Sequence, residues 1–109
     1  MGQAERASLP IATEIVHAVI WSPAAVAQLR AIRVYIEQFN PRAAEAVAIY
    51  LLSAGNSLEH FPHRGRPVPG TNVRDLVAEY RYVIRYRVTR DGTVRILRIR
   101  HTSRRPTEA

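Results

Sequence analysis

The apolar positions of the chain change rhythm along its length, and each rhythm predicts an element. Glu14-Ile15-Val16-His17-Ala18-Val19-Ile20-Trp21 is rich in β-branched and aromatic residues and predicts a strand, at least half buried. Ser22-Pro23 then reads as a helix start, with serine accepting from first-turn amides and proline at the first helical position. Ala25, Leu29, Ile32, Ile36 and Phe39 follow on one helical stripe, with an end expected near Asn40. Asn40-Pro41 repeats the device. Ala44, Val47, Leu51, Ala54, Leu58 and Phe61 form the second stripe, closed by Pro62. Two amphipathic helices with almost no linker fold back on each other as an αα-hairpin. Gly55, costly inside a helix by about 1 kcal/mol, predicts a close helix–helix or helix–sheet contact.

Residues 63–71 carry two Gly and two Pro and read as a loop. Strands are expected over 72–77, 80–89 and 93–101, with Asp91-Gly92 as the hairpin signal between the last two. The order β, αα, βββ gives an α+β sandwich of two layers: an N-terminal strand, an αα-hairpin, and a three-stranded antiparallel meander. Residues 1–12 read as a polar tail or arm, 13–105 as the folded domain and 106–109 as a C-terminal tail. Trp21 is expected as a core anchor beneath the first helix.

Side chains alternate faces along a strand. In the third expected strand, Tyr82, Ile84, Tyr86 and Val88 share the core face, while Arg81, Val83, Arg85 and Arg87 share the other. In the last strand Ile96, Arg98 and Arg100 share one parity and Arg95, Leu97, Ile99 and His101 the other. If Leu97 and Ile99 face the helices, Arg98 and Arg100 join Arg81, Arg85 and Arg87 on an open face. Like charges on neighbouring strands repel, so a sheet built only for stability has little reason to gather them. A phosphate-bearing or acidic partner gives a reason. Tyr80 shares the parity of the core tyrosines but ends the strand, so it is expected to be partly exposed.

Composition sharpens this picture. All sixteen basic residues are arginine, against nine acids, for a net charge of +7. Lysine-free usage fits either a GC-rich genome or selection for the guanidinium fork. Residues 1–63 sum to −1 and residues 64–105 to +9, so the basic character belongs to the C-terminal half. Such asymmetry points to a polyanionic partner, nucleic acid or acidic protein. The absence of cysteine excludes disulfides, thiolate metal sites and cysteine nucleophiles. No apolar run reaches the roughly 18–20 residues of a membrane span, and no signal-peptide pattern opens the chain, so a cytoplasmic domain without membrane contact is expected. His17, His60 and His63 lack metal-ligand spacing, and neither a metal nor a cofactor is expected.

The ordered set of motifs resembles the RelE/ParE toxin superfamily. It comprises Trp21-Ser22-Pro23-Ala24-Ala25, then Leu29, Ile32 and Tyr35-Ile36, and Asn40-Pro41-Arg42-Ala43-Ala44. Leu58, Phe61-Pro62 and Gly65-Arg66 come next, followed by Val73-Arg74-Asp75-Leu76 and Tyr82-Val83-Ile84-Arg85-Tyr86-Arg87-Val88. Val94-Arg95-Ile96-Leu97-Arg98-Ile99 before His101 completes the set. The likeness covers residues 15–105 and is strongest to the ParE-like branch, the plasmid stabilisation toxins. It implies a β-αα-βββ fold and a toxin encoded beside an acidic, ParD- or RelB-like antitoxin with which it forms a hetero-oligomer. ParE-like members inhibit DNA gyrase, and RelE-like members cut messenger RNA in the ribosome.

Attack by an RNA 2′-hydroxyl requires a proton acceptor, positive charge at the phosphorus and a proton donor for the leaving oxygen. Arg74, Arg81, Arg85, Arg98 and Arg104 offer charge, and His101 offers proton transfer near neutrality. If the protein is an enzyme it is an mRNA endoribonuclease, with His101 and Arg81 as the catalytic pair. Parity sets His101 apart from Arg98 and Arg100, however, and only a bulge or strand-end twist would unite them. A toxin that binds its target, gyrase by resemblance, is therefore the leading expectation. Arg74, Arg81, Arg85, Arg87, Arg98, Arg100 and Arg104 are its candidate target- or antitoxin-binding residues. For Arg74-Asp75 two readings stay open, a functional arginine held by its neighbour or a surface ion pair. A third class, a non-toxic domain that binds antitoxin or nucleic acid, remains alongside.

Overall fold

The computed structural model describes residues 16–103. The expected tails 1–12 and 106–109, the first residues of the expected N-terminal strand and Arg104 lie outside this range. Strand β1 (Val19–Trp21) leads into helix α1 (Pro23–Glu37). Helix α2 (Pro41–Asn56) follows and ends in a tighter turn, Ser57–Glu59. Strands β2 (Arg66–Pro67), β3 (Val73–Ala78), β4 (Tyr82–Val88) and β5 (Val94–His101) complete the chain. They form one sheet in the order β1-β5-β4-β3-β2, with β1 parallel to β5 and the other pairs antiparallel. This is the expected α+β architecture, with two layers and one open sheet face. Short β2 is an addition, because part of the proline- and glycine-rich loop pairs with β3.

Both helix starts use the expected caps. The Ser22 hydroxyl accepts from the Ala25 amide at 3.0 Å, and Asn40 Oδ1 accepts from Ala43 at 3.1 Å. The core joins Ala25 of α1 and Val47, Leu51 and Ala54 of α2 to Leu76, Ile84, Tyr86, Val94, Ile96 and Ile99 of the sheet. Phe39 and Phe61 depart from their stripes and are exposed. Each lies past the end of its α-helix, where helical phase no longer holds it inward.

Gly55 marks a helix–sheet contact. A Cβ there would lie 2.5 Å from Trp21 Cζ2 and 2.9 Å from Ile96 Cδ1. Trp21 thus packs on α2, which corrects the expected anchor beneath the first helix. Its Nε1 donates to Asn56 Oδ1 at 3.0 Å. No helix among the described residues is long and apolar enough to cross a membrane.

Candidate functional site

Strand β5 does not keep one parity. Arg85 pairs with Arg98 and Tyr86 with Ile96, so Leu97 is an extra residue and a bulge. Val94 and Ile96 point into the core before the bulge, and Ile99 does so after it. Arg95, Arg98 and Arg100 therefore all reach the face away from the helices. The expectation that Arg95 and Leu97 share the inward face with Ile99 is corrected by this change of phase.

The bulge is held where β1 stops. Ser22 N donates to Ile96 O at 2.9 Å, and Ser22 Oγ donates to Leu97 O at 2.9 Å. Gln28 Oε1 accepts from the Ile99 amide at 2.7 Å. Side chains of the helix start and first turns thus replace the missing strand partner.

Cross-strand register arranges the open face in three rows. Val77, Val83 and Arg100 form one, Asp75, Arg85 and Arg98 the next, and Val73, Arg87 and Arg95 the last. Arg66, opposite Asp75 on β2, adds another cation. Asp75 and Arg85 form a two-pronged pair, Nε to Oδ1 at 2.8 Å and a terminal nitrogen to Oδ2 at 2.9 Å. That hydrogen-bonded pairing, helped by Arg100 and Arg66, holds the Asp75 carboxyl below its ordinary range. The same contact pushes Arg85 up, so it stays charged. Arg85 is consequently the arginine of this face whose charge is already matched.

Two arginines from the expected set lie elsewhere. Arg74 pairs with Tyr86 and Pro67, on the side opposite Asp75. Its guanidinium donates to Gly65 O at 2.7 Å and His63 O at 3.2 Å. Fully buried Tyr86 donates to Pro62 O at 2.7 Å and accepts from the Gly65 amide at 2.8 Å, and burial pushes its phenol up. Together the two side chains fasten residues 62–65 to the sheet. Arg81 is not in a strand at all. It and Tyr80 take φ of 66° and 63° in the turn Glu79–Arg81, so strand parity does not place it among the face arginines. Two adjacent bulky residues with positive φ are strained. The turn is held by Tyr50, whose hydroxyl accepts from Glu79 N at 3.0 Å and whose ring meets Tyr80 edge-on at 5.5 Å. Thr102 N donates to Arg81 O at 2.7 Å.

His101 pairs with Tyr82, on the face opposite Arg98 and Arg100, and meets the Tyr82 ring edge-on at 5.0 Å. The Ser103 amide donates to its Nδ1 at 3.2 Å, and Ser103 Oγ lies 2.6 Å from the same atom. With Nδ1 accepting, the neutral ring carries its proton on Nε2. A bulge does exist, but it lies before Arg98 and leaves Arg98, Arg100 and His101 in strict alternation. The structure thus brings Arg85, Arg87, Arg98 and Arg100 together and keeps His101, Arg74 and Arg81 apart from them.

Arg95 and Arg66 are the face residues that the sequence reading missed. For Arg95 a signal exists: adjacent apolar Ile96-Leu97 interrupts the alternation in a strand otherwise apolar at Val94 and Ile99. For Arg66 there is none, since its place depends on β2 pairing within a loop-like segment. Among the described residues, no three His, Asp or Glu side chains group as metal ligands.

The family description "ParE toxin of type II toxin-antitoxin system, parDE" matches residues 19–106. The chain belongs to this family of type II toxins. Toxin RelE2 of Caulobacter vibrioides is 50% identical over 86 residues, which cover 79% of this chain and 96% of that protein. Among solved structures, the chain resembles one titled as the chromosomal ParDE toxin–antitoxin system of P. aeruginosa. The TM-score is 0.72 at 24% identity, over 81% of this chain and 98% of that one. A Mycobacterium tuberculosis RelBE2 toxin–antitoxin complex matches with a TM-score of 0.53 at 24% identity, over 80% of this chain and 92% of that one. At such identities the structural likenesses establish the fold. Within this ParE toxin fold, the open face carries Arg85, Arg87, Arg95, Arg98 and Arg100.

Proposed function

We propose that this ParE-family toxin arrests growth by binding its target, the DNA gyrase machinery, and that an acidic ParD- or RelB-like antitoxin neutralises it in a hetero-oligomer. The observation that carries the reading is the separation of His101 from the arginine rows. Cleavage by an RNA 2′-hydroxyl needs a proton-transfer group within hydrogen-bond reach of the same phosphate that the cations hold. Arg98 and Arg100 project from one face of the sheet and His101 from the other. Arg81, the other catalytic candidate, stands in the turn beyond the strand. A binder needs no such convergence, because it needs only complementary surface and charge.

The experiment is a supercoiling assay with purified gyrase and the purified chain. Inhibition that rises with toxin and is relieved by the cognate antitoxin supports the proposal. Full supercoiling at saturating toxin refutes the gyrase target. The kinship with a protein named Toxin RelE2 favours a second reading, a ribosome-dependent mRNA endoribonuclease. That reading requires His101→Ala or Arg81→Ala to abolish toxicity while antitoxin binding survives.

A further inference from the structure

Among the described residues, several hydroxyls are spent on backbone. Ser22 Oγ donates to Leu97 O, Ser57 Oγ to Ala54 O and Thr71 Oγ1 to Val68 O. A carbonyl accepts such a bond but does not take the proton, so these oxygens gain no nucleophilicity from their partners. The Thr89 hydroxyl bonds the Asp91 carboxylate, and that bond holds the carboxyl below its ordinary range, which makes Asp91 a poor proton acceptor. Ser103 differs. Its Oγ lies 2.6 Å from Nδ1 of His101, and histidine is the side chain that exchanges protons near neutrality.

A neighbouring amide fixes the direction of this bond. Ser103 N donates to the same Nδ1 at 3.2 Å, and an amide can only donate. Nδ1 therefore presents its lone pair, and the hydroxyl proton points at it. The imidazole stands on a fixed frame: His101 pairs with Tyr82 in the β4–β5 ladder and meets that ring edge-on at 5.0 Å. The next residue is tied down as well, because Thr102 N donates to Arg81 O at 2.7 Å. Nucleophile and base are thus within hydrogen-bond reach, the base is oriented by further groups, and Ser103 is exposed to an incoming reagent.

The same bonds narrow the choice of electrophile. Acyl transfer develops an oxyanion that needs N–H donors waiting for it. The amides of Thr102 and Ser103 are already committed to Arg81 O and His101 Nδ1. Phosphoryl transfer spreads its charge over oxygens that are negative from the start, and a chain of net charge +7 attracts such a donor.

We infer that Ser103 is a phosphoryl-acceptor site, with His101 as the base that activates it. The donor is a phosphoric anhydride. Ser103 Oγ attacks phosphorus, the Oγ–P bond forms, the bond from phosphorus to the leaving group breaks, and the hydroxyl proton passes to Nδ1. The product is a phosphoserine just past β5, which places about −1.5 to −2 charge on the basic half of the chain. The site lies apart from the arginine rows, so it stands or falls independently of the gyrase reading.

The test uses diisopropyl fluorophosphate, in which fluoride is the leaving group. The full chain is incubated with it near neutral pH, and the adduct is located by peptide mass mapping. Labelling is expected at Ser103, with exposed Ser53 unlabelled as the internal reference. Ser103→Ala should abolish it. His101→Gln should slow it about a hundredfold, the low end of what a positioned general base supplies. His101→Ala should be as slow, and added imidazole should restore it, a response that a merely structural histidine would not give. Circular dichroism of each variant establishes that the fold persists. No adduct at Ser103, an unchanged rate in His101→Gln, or no rescue of His101→Ala by imidazole overturns the inference. Turnover of p-nitrophenyl acetate through an acetylated Ser103 would overturn the assignment to phosphoryl chemistry.

Discussion

Ser22 and Leu97 are joined by a hydroxyl with two duties: Ser22 Oγ accepts the Ala25 amide that begins α1 and donates to the carbonyl of the bulged residue in β5. One side chain thereby couples the start of the helical hairpin to the change of strand phase that turns Arg98 and Arg100 outward along with Arg95. Ser22→Ala removes a helix cap and leaves the Leu97 carbonyl without this donor. The variant should lose about 1–2 kcal/mol of stability, measured as a lower denaturant midpoint at unchanged slope. A midpoint equal to that of the parent would show that the bulge does not depend on this hydroxyl.

Gly55 offers a test of packing against propensity. Alanine is favoured over glycine in a helix by about 1 kcal/mol. Here, however, its methyl would meet the Trp21 ring and Ile96 well inside contact distance. Overpacking should win, so Gly55→Ala is expected to destabilise the fold by about 1–3 kcal/mol and to change the Trp21 emission maximum. A stabilised variant with unaltered emission would contradict the close contact.

Asp75 makes part of the stability acid-sensitive. Its folded pKa is depressed, first by the Arg85 hydrogen bonds. A carboxyl that titrates lower folded than unfolded contributes stability at pH values above its unfolded value, near 4, and loses it as pH falls through the folded one. Unfolding free energy should therefore fall more steeply below about pH 4 in the parent than in Asp75→Asn. Parallel pH profiles for the two proteins would show that the pair contributes nothing.

The Tyr80–Arg81 turn holds strain that glycine relieves. Arg81→Gly should keep the fold and gain up to about 1 kcal/mol, since positive φ is unstrained for glycine. It should also leave growth arrest intact, because the Arg81 guanidinium stands in the turn, outside the arginine rows. Loss of toxicity in a folded, stabilised Arg81→Gly protein would restore Arg81 as a functional residue, catalytic or target-binding.

Much of this fold is legible in the chain because its signals are local. Ser22-Pro23 and Asn40-Pro41 carry their caps within three residues, and the apolar stripes run one helix at a time. Asp91-Gly92 lies in a hairpin loop in which Gly92 takes φ of 90° and Thr89 N donates to Thr93 O at 2.8 Å. The face is less legible because it depends on contacts distant in sequence. The bulge at Leu97 is held by Ser22 and Gln28, some seventy residues earlier. Arg74 and Asp75 read as a pair in the sequence, yet Arg74 points to the other side, where the carbonyls of the 63–65 loop accept its donors, and Asp75 pairs with Arg85. Parity puts His101 on the helix side, and it lies there because the bulge precedes Arg98 and leaves the alternation from Arg98 to His101 unbroken.

The most direct measurement is pulse labelling after induction of the protein in a bacterium, with thymidine and amino-acid incorporation followed separately for the parent and for His101→Ala. Thymidine incorporation is expected to fall first, with His101→Ala behaving as the parent does. An early fall in amino-acid incorporation, lost in His101→Ala, would contradict it and make the protein a ribonuclease.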